Sequence, residues 1–242
     1  MKRISIALLI FVALAGNVCA SIFTVSVADT PLVFIKREPK IKIAKPPVLI
    51  LMHGLGSNEK DLFGLAAQIP DSFLVISLRA PYSYTQNGYA WYSVEFKGNQ
   101  IIGNIAEMQK SKAKILKFLD DLEVKKLIDT KKIYLGGFSQ GAIMSYEIAL
   151  CKPERVKGII VLGGRLPDGL ENRIAKKEQL KNLRIFIAHG TEDKRIEFKK
   201  AEEANLYLKN LGLAPSFNKY PIGHSISDQM WMDAMNWLKM KG

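Results

Sequence analysis

Ser139 stands between two glycines in the run Gly137-Phe138-Ser139-Gln140-Gly141. A serine gains nothing from burial at such a place. It makes sense as a hydroxyl lifted on a sharp strand-to-helix turn, where its oxygen is free to react. The start of the following helix then offers backbone N–H groups and a positive dipole end beside it. Small residues two before and two after keep the turn clear of the neighbouring strand and helix. The five-residue pattern alone is weak, because structural Gly-rich turns share it. Its context here is the required one: it follows the apolar run KKIYLGG and opens the helical pattern QGAIMSYEIALC.

A serine hydroxyl is a poor nucleophile until a base takes its proton. The chain has three histidines, His53, His189 and His224. Where a nucleophile of this kind sits on an α/β sheet, the order along the chain is serine, acid, histidine. His53 precedes the serine, and His189 leaves almost no chain for an acid between. His224, in YPIGHSISD, is the one that fits. The acid is expected after the penultimate strand, where IFIAHGTEDKRI offers Glu192 and Asp193. Either one orients and stabilises an imidazolium. Glu147, Glu154, Asp168 and Glu171 are less well placed in the chain. An oxyanion formed at the serine needs two donors. One is the N–H of Gln140, and the other is the N–H of Leu55 in LMHGLGSN, where Gly54 and Gly56 let the backbone turn.

The elements that must hold these residues read as alternating strands and helices. PLVFIKRE is a short strand. PPVLILMHG, SFLVISLRAP, KKIYLGG, VKGIIVLGG and NLRIFIAHG are continuous apolar runs of strand length, and SFNKYP is a shorter, more polar one. Apolar runs without alternation belong to strands buried on both faces, hence to a parallel sheet under helices. Helical patterns fall on SNEKDLFGLAAQI, with Ser57 or Asn58 as the cap, and on 104–129, QGAIMSYEIALC, 195–211 and 226–240. The alternation predicts a doubly wound α/β fold in one domain over 21–242.

Residues 1–20 stand apart. Lys2 and Arg3 precede an apolar run, and Val18 and Ala20 form a cleavage pattern before Ser21. This is the build of a secretory signal peptide and predicts an exported, periplasmic or secreted protein. The alternatives are an uncleaved membrane anchor, which would be the only membrane contact, and a lipoprotein modified at Cys19. Cleavage leaves Cys151 as the lone cysteine, without an intramolecular disulfide. The net charge is +12, or +10 without the leader. The lysines are scattered and not interleaved with aromatics, so the reading is a solvated basic surface and no nucleic-acid partner. Nothing in the sequence builds a metal site, a phosphate loop or a dinucleotide fingerprint, and no cofactor is expected.

LMHGLGSNEKDLFGLA, RAPYSYTQNGYAWYS, GFSQGA, HGTEDKRI and GHSIS resemble, in order, the phospholipase/carboxylesterase family of α/β-hydrolases. This family includes acyl-protein thioesterases and small bacterial carboxylesterases. The resemblance runs from about residue 31 to the C-terminus. It implies a mostly parallel hydrolase sheet with helices on both faces and no large lid. It also implies a triad of Ser139, Asp193 and His224, choosing Asp193 over Glu192, and it supports Leu55 and Gln140 as oxyanion donors. The chain departs from the family in its leader. GYAWYS is closer to the bacterial esterases than to the eukaryotic thioesterases. The expected substrate is a small-molecule carboxylic or thio ester with a small to medium acyl chain. Trp91, Tyr92 and Phe138 are candidates, with Leu55, to line an acyl groove; Trp91 as a core residue is the competing reading. A serine peptidase and a non-catalytic binding protein on the same fold are the rival functions.

Overall fold

The computed structural model describes residues 22–23, 32–97 and 100–240. The leader expected at 1–20 lies outside the described residues. The strands are β1 (Ile22–Phe23), β2 (Phe34–Arg37), β3 (Val48–Met52), β4 (Leu74–Leu78), β5 (Tyr82–Thr85), β6 (Gly88–Ala90), β7 (Val94–Lys97), β8 (Gln100–Gly103), β9 (Ile133–Phe138), β10 (Gly158–Leu162), β11 (Arg184–Gly190) and β12 (Ser216–Tyr220). The helices are α1 (Lys60–Phe63), α2 (Ile105–Val124), α3 (Gln140–Cys151), α4 (Lys177–Leu180), α5 (Phe198–Asn210) and α6 (Asp228–Lys239).

Eight strands form one sheet in the order β1-β2-β4-β3-β9-β10-β11-β12. β2 runs antiparallel to β1 and β4, and the pairs from β4 through β12 are parallel. The apolar runs of the sequence are these strands. In β3 every residue is buried, and the side chains divide by the pleat. Val48, Ile50 and Met52 join the core with α2, α3 and α5, while Leu49 and Leu51 join the core with α1 and α6. A side chain of this size buried from water contributes about 1.5–3 kcal/mol, which is why the run carries no polar residue. Register aligns Met52 with Gly137, and Leu162 with both Phe138 and Ala188, so the strand ends that carry the candidate residues finish at one edge.

Two expectations are corrected. SNEKDLFGLAAQI forms only the single turn α1 and a short 3-10 turn at Ala66–Gln68. Asn58, one of the two expected caps, accepts the Lys60 N–H through Oδ1 at 3.0 Å, and Glu59, directly before the turn, makes no side-chain cap and buries its carboxylate against Arg79. Between β4 and α2 the chain builds two hairpins, β5–β6 and β7–β8, that the sequence patterns do not signal. By contrast, Asn104 caps α2 by accepting from the Glu107 N–H, and Ser227 caps α6 by accepting from the Met230 N–H at 3.2 Å.

α3 is buried all round, from Gln140 to Leu150, as a helix packed between the sheet and its neighbours must be. Its one carboxylate, Glu147, accepts from Arg173 Nε and Nη2, at 3.1 and 2.9 Å, with Gln109 at 2.7 Å and Lys112 at 2.8 Å. Burial alone would raise its pKa. The hydrogen bonds from Arg173, Gln109 and Lys112 outweigh burial and hold it at about 2. The folded-state value is depressed, so this stabilisation is fully present above about pH 4.5 and is lost as pH falls through the folded value. Glu147→Ala strands two cations against an apolar helix and is expected to lower unfolding stability by about 3 kcal/mol at neutral pH. Urea denaturation followed by circular dichroism measures this; a loss below about 1 kcal/mol would contradict it.

Candidate active site

Ser139 sits between β9 and α3 with φ 53° and ψ −114°, a backbone conformation that side chains other than glycine rarely adopt. The turn is held by the Ser139 N–H donating to Leu162 O at 2.9 Å and the Ile143 N–H donating to Ser139 O at 3.1 Å. Its tightness dictates both flanking glycines. A Cβ on Gly137 would lie 2.2 Å from the Gly141 carbonyl, and one on Gly141 would lie 2.0 Å from Met52 O.

His224 follows β12 and reaches back over the turn. Its Nε2 lies 2.9 Å from Ser139 Oγ, and its Nδ1 lies 2.6 Å from Asp193 Oδ2. A carboxylate only accepts, so the ring hydrogen is on Nδ1 and Nε2 is left to accept from the serine hydroxyl. The other oxygen of Asp193 accepts the backbone N–H of Arg195 at 2.8 Å and of Ile196 at 2.9 Å. Asp193 is buried, while Glu192 is exposed and joins the site only through its backbone. The structure therefore brings Ser139, His224 and Asp193 into one hydrogen-bonded chain and leaves Glu192 out of it. Phe138 stays beside that chain, half-buried, with its ring centroid 4.9 Å from that of His224.

The loop after β3 passes directly against the serine, since a Cβ on Gly54 would lie 3.4 Å from Ser139 Cβ. Its path is fixed from outside by β6. The Gly56 N–H donates to Tyr89 O at 2.9 Å, and the Tyr89 N–H donates to Ser57 O at 2.8 Å. Leu55, half-buried at the turn, makes no backbone N–H bond among the described residues. Gln140 opens α3, so its own N–H is one of the donors a helix start leaves without an intrahelical acceptor.

Trp91 and Tyr92 are corrected. Both are buried, with 0% and 2% exposure, and neither faces an open groove. The Gln140 side chain ties them down: its Oε1 accepts the Trp91 N–H at 2.7 Å and its Nε2 donates to Tyr92 O at 2.7 Å. The Trp91 indole donates to His53 O at 2.9 Å. Through these bonds the backbone of Trp91 and Tyr92 is fastened to the start of α3, and the Trp91 indole to the end of β3.

His53, which chain order excludes as a base, has a place that no pattern in the sequence announces. It is buried at the end of β3. Its Nε2 accepts the Ala80 N–H at 3.1 Å, so its Nδ1 carries the hydrogen and donates to Gly54 O at 2.7 Å. The imidazole joins the ends of β3 and β4 to the loop that faces Ser139. Burial lowers its pKa.

A sheet of this order, with a strained serine turn on a central strand and a histidine and a carboxylate from the last loops, defines an α/β-hydrolase. The phospholipase/carboxylesterase family profile matches residues 38–241. The chain belongs to that family. Acyl-protein thioesterase 1 of Aspergillus fumigatus is 27% identical over 195 residues, 73% of this chain and 80% of that protein. A probable SOBER1-like carboxylesterase of Arabidopsis thaliana is 30% identical over 122 residues, 50% of this chain, and the chain spans 47% of that relative's length. Among solved structures, the Bacillus cereus carboxylesterase superposes with a TM-score of 0.74 at 23% identity, covering 86% of this chain and 93% of that one. The carboxylesterase from Mesorhizobium loti gives 0.76 at 18%, covering 90% and 98%. At these identities the superpositions speak for the fold.

Trp91→Ala removes a fully enclosed side chain and is expected to cost about 3–5 kcal/mol in urea unfolding; an unchanged midpoint would return Trp91 to the groove. His53 titrates lower in the fold than in the unfolded chain. On acidification the unfolded state takes up its proton first, so stability falls as pH drops below about 6.5. Melting curves from pH 7.5 to 5.5 are expected to show this decline, and a shallower one in His53→Gln, which has no such proton to gain. Parallel declines would contradict the assignment.

Proposed function

We propose that this protein is a serine carboxylesterase or thioesterase that cleaves esters of small to medium acyl chains through an acyl-enzyme. The observation that carries the reading is the chain from Ser139 Oγ through His224 to Asp193, with distances of 2.9 and 2.6 Å. Ser139 attacks the acyl carbonyl carbon while His224 Nε2 accepts the hydroxyl proton. Asp193 stabilises the imidazolium and keeps the ring hydrogen on Nδ1. The tetrahedral oxyanion is received by the N–H groups of Leu55 and Gln140. As the intermediate collapses, His224 returns the proton to the departing alkoxide or thiolate, which leaves as alcohol or thiol. Water then attacks the acyl-serine by the same path, and the acid is released with Ser139 regenerated.

The donors lie on backbone that is already clamped, Leu55 by the Tyr89 pairing and Gln140 by its bonds to Trp91 and Tyr92. Such preorganisation is what electrostatic stabilisation of an oxyanion requires. A fluorophosphonate probe is expected to label wild type and not Ser139→Ala. Ser139→Ala and His224→Ala are each expected to reduce p-nitrophenyl ester turnover by on the order of 10⁴-fold or more, with native circular dichroism. Near wild-type turnover in either folded variant would sink the proposal, and absence of labelling in wild type would favour a binding protein.

A further inference from the structure

His189 is the histidine not yet accounted for, and it has no part in the reaction just described. It lies near the end of β11, fully buried, four residues before Asp193. Its Nε2 is 2.7 Å from Ile196 O. A carbonyl only accepts, so Nε2 must carry the hydrogen. The same Nε2 lies 3.3 Å from Asp193 Oδ2, a longer second contact, and Oδ2 is the oxygen that receives His224. Nδ1 is buried and takes no hydrogen bond among the described residues. A neutral ring is what this enclosure favours, since burial lowers its pKa.

We propose that His189 is a positioning residue for Asp193: its Nε2–H, hydrogen-bonded to Ile196 O, lies 3.3 Å from the Oδ2 that receives His224, and the positive end of that N–H sets how much of the carboxylate charge His224 receives. The inference rests on the triad reading above. The groups around the ring are few. Asp193 faces it from its own loop, His224 from the loop after β12, and the Phe198 ring from α5 with centroids 6.2 Å apart. Lys219 stands in register on β12 with its side chain exposed. Lys194, Arg195, Lys199 and Lys200 in the adjoining segment are exposed as well. With the His189 N–H removed, the charge on Oδ2 is directed at His224 alone, and the imidazolium formed there is held more strongly.

The test compares wild type, His189→Phe and His189→Gln in kcat/KM for p-nitrophenyl acetate as a function of pH, after fluorophosphonate labelling of each. The acidic limb of His189→Phe is expected to move up by about half a pH unit or more. His189→Gln, which keeps an N–H donor, is expected to lie nearer to wild type. Labelled, folded His189→Phe whose limb coincides with wild type overturns this inference alone. Wild type that is not labelled overturns the triad reading and this inference with it. Nitrogen NMR of wild type bears on the same point without any substitution. The expected tautomer of His189 has the hydrogen on Nε2, and a hydrogen on Nδ1 with a bare Nε2 overturns the proposal even if neither variant folds.

Discussion

The site depends on one close approach: the backbone of α3 lies against the carbonyl end of β3. Gly141 faces Met52 O so tightly that a methyl group there would stand 2.0 Å from the oxygen. This contact sets the depth of α3 beneath the sheet edge. It forces the reversal at Ser139 into a positive φ, and it brings the loop carrying Gly54 and Leu55 alongside the serine. Strain at Ser139, of about 1–3 kcal/mol for such a conformation, is maintained because the surrounding packing leaves no alternative.

That packing has a polar cost, met locally. α3 enters an apolar interior on all sides, and its amide, carboxylate and serine hydroxyl each find a partner, while the Tyr146 hydroxyl is buried without one. Gln140 spends both ends of its amide on the backbone of Trp91 and Tyr92. Ser145 donates back to Gly141 O at 3.1 Å, and Glu147 gathers Arg173, Gln109 and Lys112. His53 performs the same service one strand over. Unpartnered groups at these depths would each cost about 1–3 kcal/mol. The buried polar network and the reactive turn are thus parts of one construction, and the turn's geometry rests on groups that never touch a substrate.

How far this was legible depends on where the determining force lies. The strands were readable because burial on both faces demands unbroken apolar runs such as Val48–Met52. Ser139 was readable from its strand-turn-helix context, and His224 because the serine–acid–histidine order of α/β-hydrolases leaves no other histidine of the three. Asp193 and Glu192 are neighbours of equal chemistry, and spacing alone left both open. The difference between them is made by the backbone N–H groups of Arg195 and Ile196, which no pattern in the sequence announces. The first hairpin is not legible because Tyr82–Thr85 is largely exposed, and its partner β6 is held in place by the bridge from Tyr89 to Ser57 in a distant loop. Trp91 was ambiguous because an aromatic near a reactive motif looks the same whether it lines a groove or fills a core. Its full burial and the indole bond to His53 O decide the matter, and that reach across 38 positions of chain is invisible in the sequence.

The coupling between β6 and the loop at Gly56 has a practical side. The two segments are joined main chain to main chain at Ser57 and Tyr89, and Gly88 must stay small because its Cβ would meet Gly56 O at 2.2 Å. Tyr84, on the neighbouring strand and half open to solvent, contributes nothing to that joint beyond van der Waals contact with Gly56. The rim is therefore modular. Side chains on the outer hairpin can be exchanged while the main-chain joint beneath holds the loop in its path past Ser139, so change at the surface of this edge need not disturb the turn.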